Sequence, residues 1–130
     1  MVNTLRRRLR SEEKGFTLIE LLVVMIILAI LTAIAIPSYL SFKDRANKSA
    51  AGADVRSIIP SIESYFSDNG TYSGMTIAAL KSNYDQAINL STYTALNNLS
   101  ATTYCVQATS GNQVARKNGP SAQIEIGVTC

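Results

Sequence analysis

The stretch that decides the fold is FTLIELLVVMIILAILTAIAI, residues 16–36, an apolar run that contains one ionisable side chain, Glu20. As an α-helix these residues extend about 32 Å at roughly 1.5 Å per residue, close to the roughly 30 Å hydrocarbon thickness of a membrane. A charge near the end of such a helix costs on the order of 1–3 kcal/mol unless it is paired, so it usually has a partner and a function. The run therefore predicts a membrane-spanning helix, residues 16–37, whose Glu20 needs a cation.

The residues before this run are strongly basic. Residues 1–15 carry five Lys or Arg side chains and two Glu, whereas the rest of the chain carries seven of each sign. Because a basic flank is usually held in the cytoplasm, we expect residues 37–130 on the outer side of the membrane. Cleavage after Gly15 would remove this leader, keep the helix and free an α-amino group on Phe16. A signal-peptidase site near Ala35 is the alternative that the composition leaves open.

The freed amine is a candidate partner for the acid. Phe16 and Glu20 are four residues apart and lie on one helix face. If Glu20 of one subunit neutralises the Phe16 amine of the next subunit, the cost of burying either charge alone penalises every other register. A head-to-tail contact that does not close on itself builds a helical filament. These residues predict a homo-oligomer that lies in a membrane before assembly.

Gly15 followed by FTLIELLVVMIILAI, and then AIAIP ending at Pro37, strongly resembles the N-terminus of type IV prepilins and related pseudopilins. The likeness is close over residues 1–42 and looser at ESYFSDNGTYS, residues 63–73. It implies cleavage after Gly15 by a prepilin peptidase, N-methylation of Phe16, and assembly by a dedicated inner-membrane machinery that requires Glu20. The resemblance also implies an inner-membrane precursor and a mature chain in an extracellular pilus on the bacterial surface.

The remaining residues predict one small head domain, residues 38–130, which makes the chain α+β. Residues 38–68 form an amphipathic helix, and residues 69–100 are polar and predict a connecting loop with a helical turn or two. Residues 101–130 alternate β-forming and turn residues, which predicts three or four antiparallel strands packed on the helix. The helix carries four apolar residues on one face, expected to lie under the sheet: Val55, Ile59, Ile62 and Phe66.

Two prolines fall inside the predicted helices. Pro37 and Pro60 each remove a backbone donor and crowd the preceding turn, so both are predicted to bend the helix rather than end it. Many members of the resembling family carry a glycine near the middle of the apolar run, where this chain has Ala29. Unwinding of the helix before Pro37 is therefore left open.

Cys105 and Cys130 are the only cysteines. Both fall on the side expected to be extracytoplasmic, where an oxidising compartment and a small core favour a disulfide bond. Such a bond contributes on the order of 3 kcal/mol in the chain-entropy description. A metal site would need more ligands, and the chain has no histidine. We expect a structural disulfide, with no metal and no cofactor.

Several function classes are disfavoured by the residues. No histidine, glycine-rich phosphate loop or pair of carboxylates in an apolar setting is present, so we do not expect an enzyme. Arg116 and Lys117 are the one basic pair without a neighbouring acid, and two charges give little affinity for phosphates. Nucleic-acid binding is therefore not expected to be the main role.

Three functions remain from the sequence. The first is a structural subunit of a type IV pilus that serves adhesion, twitching motility or DNA uptake. The second is a pseudopilin of a type II secretion system or a pilin of a DNA-uptake fibre. The third is an uncleaved, single-pass anchored domain that binds a ligand. The cysteine pair favours a pilin, because the resembling secretion pseudopilins usually hold their C-terminal region with calcium, and Glu125 is the only carboxylate after Asp85.

Overall fold

The computed structural model of this chain describes residues 15–130. The predicted leader, apart from its last residue Gly15, lies outside the described residues. Two compact units are distinguished, one ending at Tyr39 and one, here called the head, comprising Leu40–Cys130. The helices and strands of the described part are α1 Leu18–Asn69, α2 Ile77–Asn83, β1 Tyr93–Asn97, β2 Tyr104–Ser110, β3 Gln113–Gly119 and β4 Ile124–Ile126.

The first part of α1 is long and apolar enough to cross a membrane, and none of its most apolar window is buried. Every large apolar side chain from Phe16 to Phe42 is at least 44% exposed. In water this surface would be strongly unfavourable, because each fully exposed Leu or Ile forgoes roughly 1.5–3 kcal/mol of burial. The predicted membrane-spanning segment is thus a helix whose apolar surface is left uncovered by residues 15–130.

The second part of α1 supplies one face of the head's core. Ala51, Val55, Ile58 and Ile62 are fully buried, at the three- and four-residue spacing of one helical face. Two of the predicted core residues are therefore confirmed, and Phe66 packs partly buried against the core. The prediction of Ile59 as a core residue is wrong, because its neighbour Ile58 takes the buried position and leaves Ile59 at the margin.

The four strands form one antiparallel sheet in the order β1-β2-β3-β4. Tyr104, Val106 and Ala108 of β2 alternate along the strand and, with Ala115 of β3, are buried in the core shared with α1. A helix and a sheet that each have one apolar face are stabilised by covering one another. The predicted α+β class, with a long helix and a small antiparallel sheet, is confirmed.

Two stretches of the head differ from the sequence prediction. The expected loop of residues 69–100 contains not only the short helix α2 but also strand β1, whose YTALN sequence is brief and pairs with β2 across a bulge between Tyr93 and Ala95. Strand β3 runs through the turn-rich stretch between the two β-forming segments and reaches Gly119. Its residues Arg116 to Asn118 have low β propensity, and they are held in the sheet by pairing with β2.

The β2–β3 hairpin is held against α1 by side-chain amides. Its two-residue turn begins at Gly111, whose φ of 56° lies in the left-handed region that such turns require. Asn112 Nδ2 donates to Asp44 Oδ1 (3.1 Å), and Asn47 Nδ2 donates to Asn112 Oδ1 (3.2 Å). Gly111 lies so close to Asn47 that an added Cβ would overlap the amide. The turn therefore requires glycine for two separate reasons.

A carboxylate links α1 to the sheet and to the segment between them. Glu63 accepts hydrogen bonds from the hydroxyls of Tyr72 (3.0 Å) and Tyr104 (3.3 Å). Burial, and then the hydrogen bond to Glu63, raise the pKa of Tyr72 to about 12. Burial and the Glu63 charge also raise the pKa of Tyr104. Both phenols are almost fully buried and remain neutral donors.

The C-terminus is tied to β2 and β3. Cys105 and Cys130 form the predicted disulfide bond, with their Cα atoms 5.9 Å apart. The Cys130 amide donates to Gln107 Oε1 (2.8 Å), and Arg116 Nη1 donates to the carbonyl of Thr129 (2.7 Å). Three independent contacts thus fix the last two residues.

Helix α1 continues through both prolines. Neither Pro37 nor Pro60 ends it. The helix ends at Asn69, and the next residue, Gly70, has the left-handed conformation and donates its amide to the Phe66 carbonyl (2.7 Å). The bends predicted at the two prolines stay predictions.

Candidate functional site

The start of α1 gathers the residues to which the sequence assigns a function. Gly15, Phe16, Thr17 and Glu20 line one open depression. Gly15 precedes the helix, with no atom within 4 Å of the place where a Cβ would lie. Phe16 is 83% exposed. The peptide bond between Gly15 and Phe16 is therefore in an accessible segment outside the helix.

Glu20 and Thr17 cap the helix reciprocally. Glu20 Oε2 accepts from the Thr17 amide (2.9 Å) and from the Thr17 hydroxyl (2.7 Å). In return, Thr17 Oγ1 accepts from the Glu20 amide (3.3 Å). This is a capping box, which satisfies two backbone donors that a helix start leaves without partners. Thr17 thus determines where the helix begins and which way the carboxylate points.

Thr17 is absent from the site residues predicted from the sequence. The motif that reveals it is TLIE, residues 17–20, a threonine followed three residues later by a glutamate just before an apolar run. Glu20 therefore acts as a helix cap in addition to carrying a charge. One oxygen of its carboxylate is already satisfied without a cation, because it accepts hydrogen bonds from the amide and the hydroxyl of Thr17.

The electrostatic setting of Glu20 has two parts. The N-terminal end of a helix carries a partial positive charge that favours a carboxylate there. Around this turn, however, the flanking side chains Phe16, Leu18 and Ile19 are apolar and exposed. Within residues 15–130, Glu20 Oε1 accepts no hydrogen bond, which leaves one carboxylate oxygen available to a donor from outside the chain.

The other predicted site residues belong elsewhere. Pro37 lies within α1, at a distance of many turns from Glu20. Pro60, Cys105 and Cys130 belong to the head. Among residues 15–130 no group of three or more His, Cys, Asp or Glu side chains is placed to hold a metal ion.

The N-terminal residues match a described protein family. Residues 10–36 match the prokaryotic N-terminal methylation motif. This match contains the Gly15–Phe16 junction, the Thr17–Glu20 cap and the whole apolar run of residues 16–36.

Three similar proteins indicate how far the likeness extends. The chain is 36% identical over 95 residues to the type IV wide pilus major component PilA4 of Thermus thermophilus, a match that covers 73% of this chain and 72% of that protein. It is 39% identical over 66 residues to the type IV major pilin protein PilA of Myxococcus xanthus, covering 51% of this chain and 30% of that protein. It is 40% identical over 63 residues to the type II secretion system core protein G of Pseudomonas aeruginosa, covering 48% and 44%. The matched parts thus span less than half the length of the last two relatives.

Proposed function

We propose that this chain, which belongs to the type IV pilin and pseudopilin family, is the structural subunit of a type IV pilus. In this proposal a prepilin peptidase cuts after Gly15, Phe16 is N-methylated, and the mature chain polymerises through α1. The precursor lies in the inner membrane, and the filament extends from the bacterial surface.

The observation that carries the proposal is the uncovered apolar surface of α1. Large apolar side chains from Phe16 to Phe42 are exposed on all sides of the helix. A membrane covers such a surface before assembly, and helices of neighbouring copies can cover it afterwards. A subunit that leaves the membrane must exchange lipid contacts for contacts with its own kind, which is what a filament core provides.

In this proposal Glu20 determines the position that one subunit takes along its neighbour. After cleavage, the Phe16 amine of a neighbouring subunit is the cation that pairs with the free Oε1, while Thr17 keeps Oε2 bonded. A charge pair in an apolar surrounding is favourable only when both members meet, so a misplaced subunit leaves two isolated charges. Thr17 reduces the cost of the acid while the subunit is still alone in the membrane.

A pilus is favoured over a secretion pseudopilin on two grounds. The match to the Thermus pilus component extends over 95 residues, beyond the length of the apolar helix, whereas the match to the secretion protein covers 63. The head is also closed by the Cys105–Cys130 disulfide bond. The pseudopilin of a type II secretion system remains the second candidate, because the identity to the secretion protein is 40% over 63 residues, against 36% over 95 residues for the pilus component. Adhesion, motility and DNA uptake are the roles that a pilus of this subunit would serve.

Intact-mass spectrometry of sheared surface filaments tests the processing. We expect a chain that begins at Phe16, carries one methyl group and is two hydrogens lighter than the reduced form. An uncleaved mass would contradict the proposal and favour an anchored single-pass domain. A mass that corresponds to a chain beginning after Ala35 would show signal-peptidase cleavage. The mature protein would then lack the apolar helix.

A deletion strain separates pilus from secretion system. Loss of surface fibres with normal release of exoproteins would support the pilus, and complementation with the wild-type chain should restore the fibres. Normal fibres with impaired release of exoproteins would instead assign the chain to a type II secretion system.

A further inference from the structure

Three exposed cations follow the apolar run at the start of the head. Lys43, Arg45 and Lys48 are all exposed on α1, beginning seven residues after Ile36. We define them as the basic collar. In the described part of the chain the only ion pair is Arg116 with Glu125, so no collar residue is neutralised by an acid of the head.

The one acid within the collar is directed to another partner. Asp44 is partly buried, and its Oδ1 accepts a hydrogen bond from Asn112 of the β2–β3 turn. That turn is held in place by Asn47 as well. The hairpin therefore holds the carboxylate of Asp44 away from an ion pair with the collar, and the three cations (+3) with Asp44 (−1) carry a net formal charge of +2.

The collar lies on more than one face of the helix. Successive residues of an α-helix are about 100° apart, so Lys43 and Arg45 point about 160° away from each other, whereas Lys48 lies about 60° from Arg45. The collar therefore presents positive charge in two directions, and a headgroup layer around a spanning helix can be contacted from both.

The order of side chains along α1 is that of a membrane interface. The apolar run ends at Ile36, the ring of Tyr39 is 65% exposed, and the first cation, Lys43, follows four residues later. Tyrosine and tryptophan side chains concentrate at the boundary between hydrocarbon and headgroups, and long basic side chains reach from there to the phosphates. Anionic lipids attract such basic segments at short range.

We propose that the basic collar binds the phosphate headgroups of anionic phospholipids in the outer leaflet of the membrane that holds the precursor. The collar thereby fixes the depth of the helix before assembly. This inference rests on membrane insertion with the head outward, and it does not depend on filament formation or on the identity of the machinery. A subunit that leaves the membrane would have to give up these lipid contacts, which adds to the cost of extraction.

The test compares lipid selectivity of variants of the full chain. The chain is reconstituted in phosphatidylcholine vesicles that contain a trace of spin-labelled phosphatidylglycerol or of spin-labelled phosphatidylcholine. Electron spin resonance then gives the motionally restricted fraction of each lipid. For the wild type we expect a larger restricted fraction of phosphatidylglycerol, and we expect that excess to shrink as salt is added.

Three variants define the outcome. Removing the charges with Lys43→Gln, Arg45→Gln and Lys48→Gln together should lower the excess, while exchanging them as Lys43→Arg, Arg45→Lys and Lys48→Arg should keep it. Arg56→Gln is the matched control, an exposed cation further along the same helix, and should leave the excess unchanged. Because the basic leader is the same in every variant, its contribution cancels.

Three results would overturn the proposal. They are an unchanged excess after removal of the collar charges, an equal loss in Arg56→Gln, and a loss when inorganic phosphate replaces chloride at constant ionic strength. The first, if filament assembly also fails, would indicate a contact between subunits, and the third would indicate a site for a free anion.

Discussion

At the first turn of α1, the Glu20 carboxylate makes capping bonds and is proposed to pair with a neighbouring subunit, and these two interactions can be separated. The capping bonds between Glu20 and Thr17 need only an oxygen acceptor, and glutamine serves in capping boxes as well as glutamate. The proposed pairing with the Phe16 amine of a neighbour needs a negative charge. Substitutions that keep one interaction and remove the other can therefore distinguish helix capping from assembly.

Glu20→Gln should leave the precursor inserted in the membrane and the helix start intact, yet reduce surface filaments strongly. The amide keeps the acceptor for Thr17 but cannot neutralise the amine of a neighbour. Glu20→Val, which removes both interactions, should reduce filaments at least as much. The yield of sheared filaments, normalised to precursor in the membrane fraction, is the measurement. Thr17→Ser is the control expected to assemble normally, and wild-type filament yields from Glu20→Gln would exclude the charge pairing.

The second residue-scale feature is the Glu63 carboxylate with its two tyrosine donors. Because the unfolded chain releases the Tyr72 proton near pH 10 and the folded head keeps it until about 12, the unfolded state binds fewer protons between these values. This contribution to stability is fully present below pH 10 and is lost as the pH rises through 12.

Tyr72→Phe should lower the free energy of unfolding of the head by about 1.5–3 kcal/mol at neutral pH, since it removes a hydrogen bond to a carboxylate. The decline of stability between pH 10 and 12 should also become shallower than in the wild type. Chemical unfolding followed by circular dichroism across this range provides both values. Tyr39→Phe, at an exposed position, should change neither. An alkaline decline as steep in Tyr72→Phe as in the wild type would assign it to other groups.

At the scale of elements, the β2–β3 turn is the point where the sheet's hairpin touches α1. Gly111 and Gly70 both have φ values in the left-handed region, at 56° and 67°, but only Gly111 has a neighbour where a Cβ would lie. That neighbour is the amide of Asn47. The two glycines therefore separate the cost of backbone strain from the cost of contact.

Gly70→Ala should destabilise the head by about 1–2 kcal/mol, the usual cost of placing a Cβ in the left-handed region. Gly111→Ala should destabilise it more, because the added methyl group must also displace Asn47 and its bond to Asn112. Adding Asn47→Ala to Gly111→Ala should then cost less than the sum of the two single changes. Urea unfolding of the four variants measures these differences. Equal destabilisation by the two glycine substitutions would show that the contact with α1 carries no energy.

The elements differ in how well the sequence alone predicts them. The apolar run and the helical spacing of Val55 and Ile62 indicate α1 directly, because long periodic patterns are strong local signals. The choice between Ile58 and Ile59 depends on the rotation of the helix against the sheet, which adjacent isoleucines do not reveal. Strand β1 was not predicted, because its five residues show little alternation of apolar and polar side chains. They form a strand through backbone pairing with β2.

At the scale of the whole molecule, contacts between residues close in sequence were predictable and contacts between distant residues were not. Gly15, Phe16 and Glu20 are contiguous in sequence, so their proximity follows from helical geometry, and Thr17 was predictable from its spacing to Glu20. The amide network of Asp44, Asn47 and Asn112 was not, because the last residue is far from the others in the chain. Long-range polar contacts carry no local pattern.

The disulfide bond closes the head from β2 to the C-terminus. Replacing both cysteines, Cys105→Ser with Cys130→Ser, should lower the free energy of unfolding by about 3 kcal/mol in the chain-entropy description. The head should still fold, because Gln107 and Arg116 continue to hold the last two residues. Thermal unfolding with and without reductant measures the effect, and the double variant is its own control, since reductant should not affect it. An unchanged melting temperature would mean that the hydrogen bonds alone fix the C-terminus.

All fully buried side chains of the described chain lie in the head, from Ala51 to Ala115. The apolar segment before Leu40 contributes none of them, so its removal should not expose the core. We predict that a fragment Leu40–Cys130 is soluble without detergent and unfolds cooperatively, with a melting temperature close to that of the head in the full chain held in detergent. Circular dichroism of both proteins provides the comparison, and a fragment begun inside the core stripe, at Ile58, should fail to fold. A Leu40–Cys130 fragment that aggregates or melts without cooperativity would show that the head draws stability from the apolar segment, because its own core would then be insufficient.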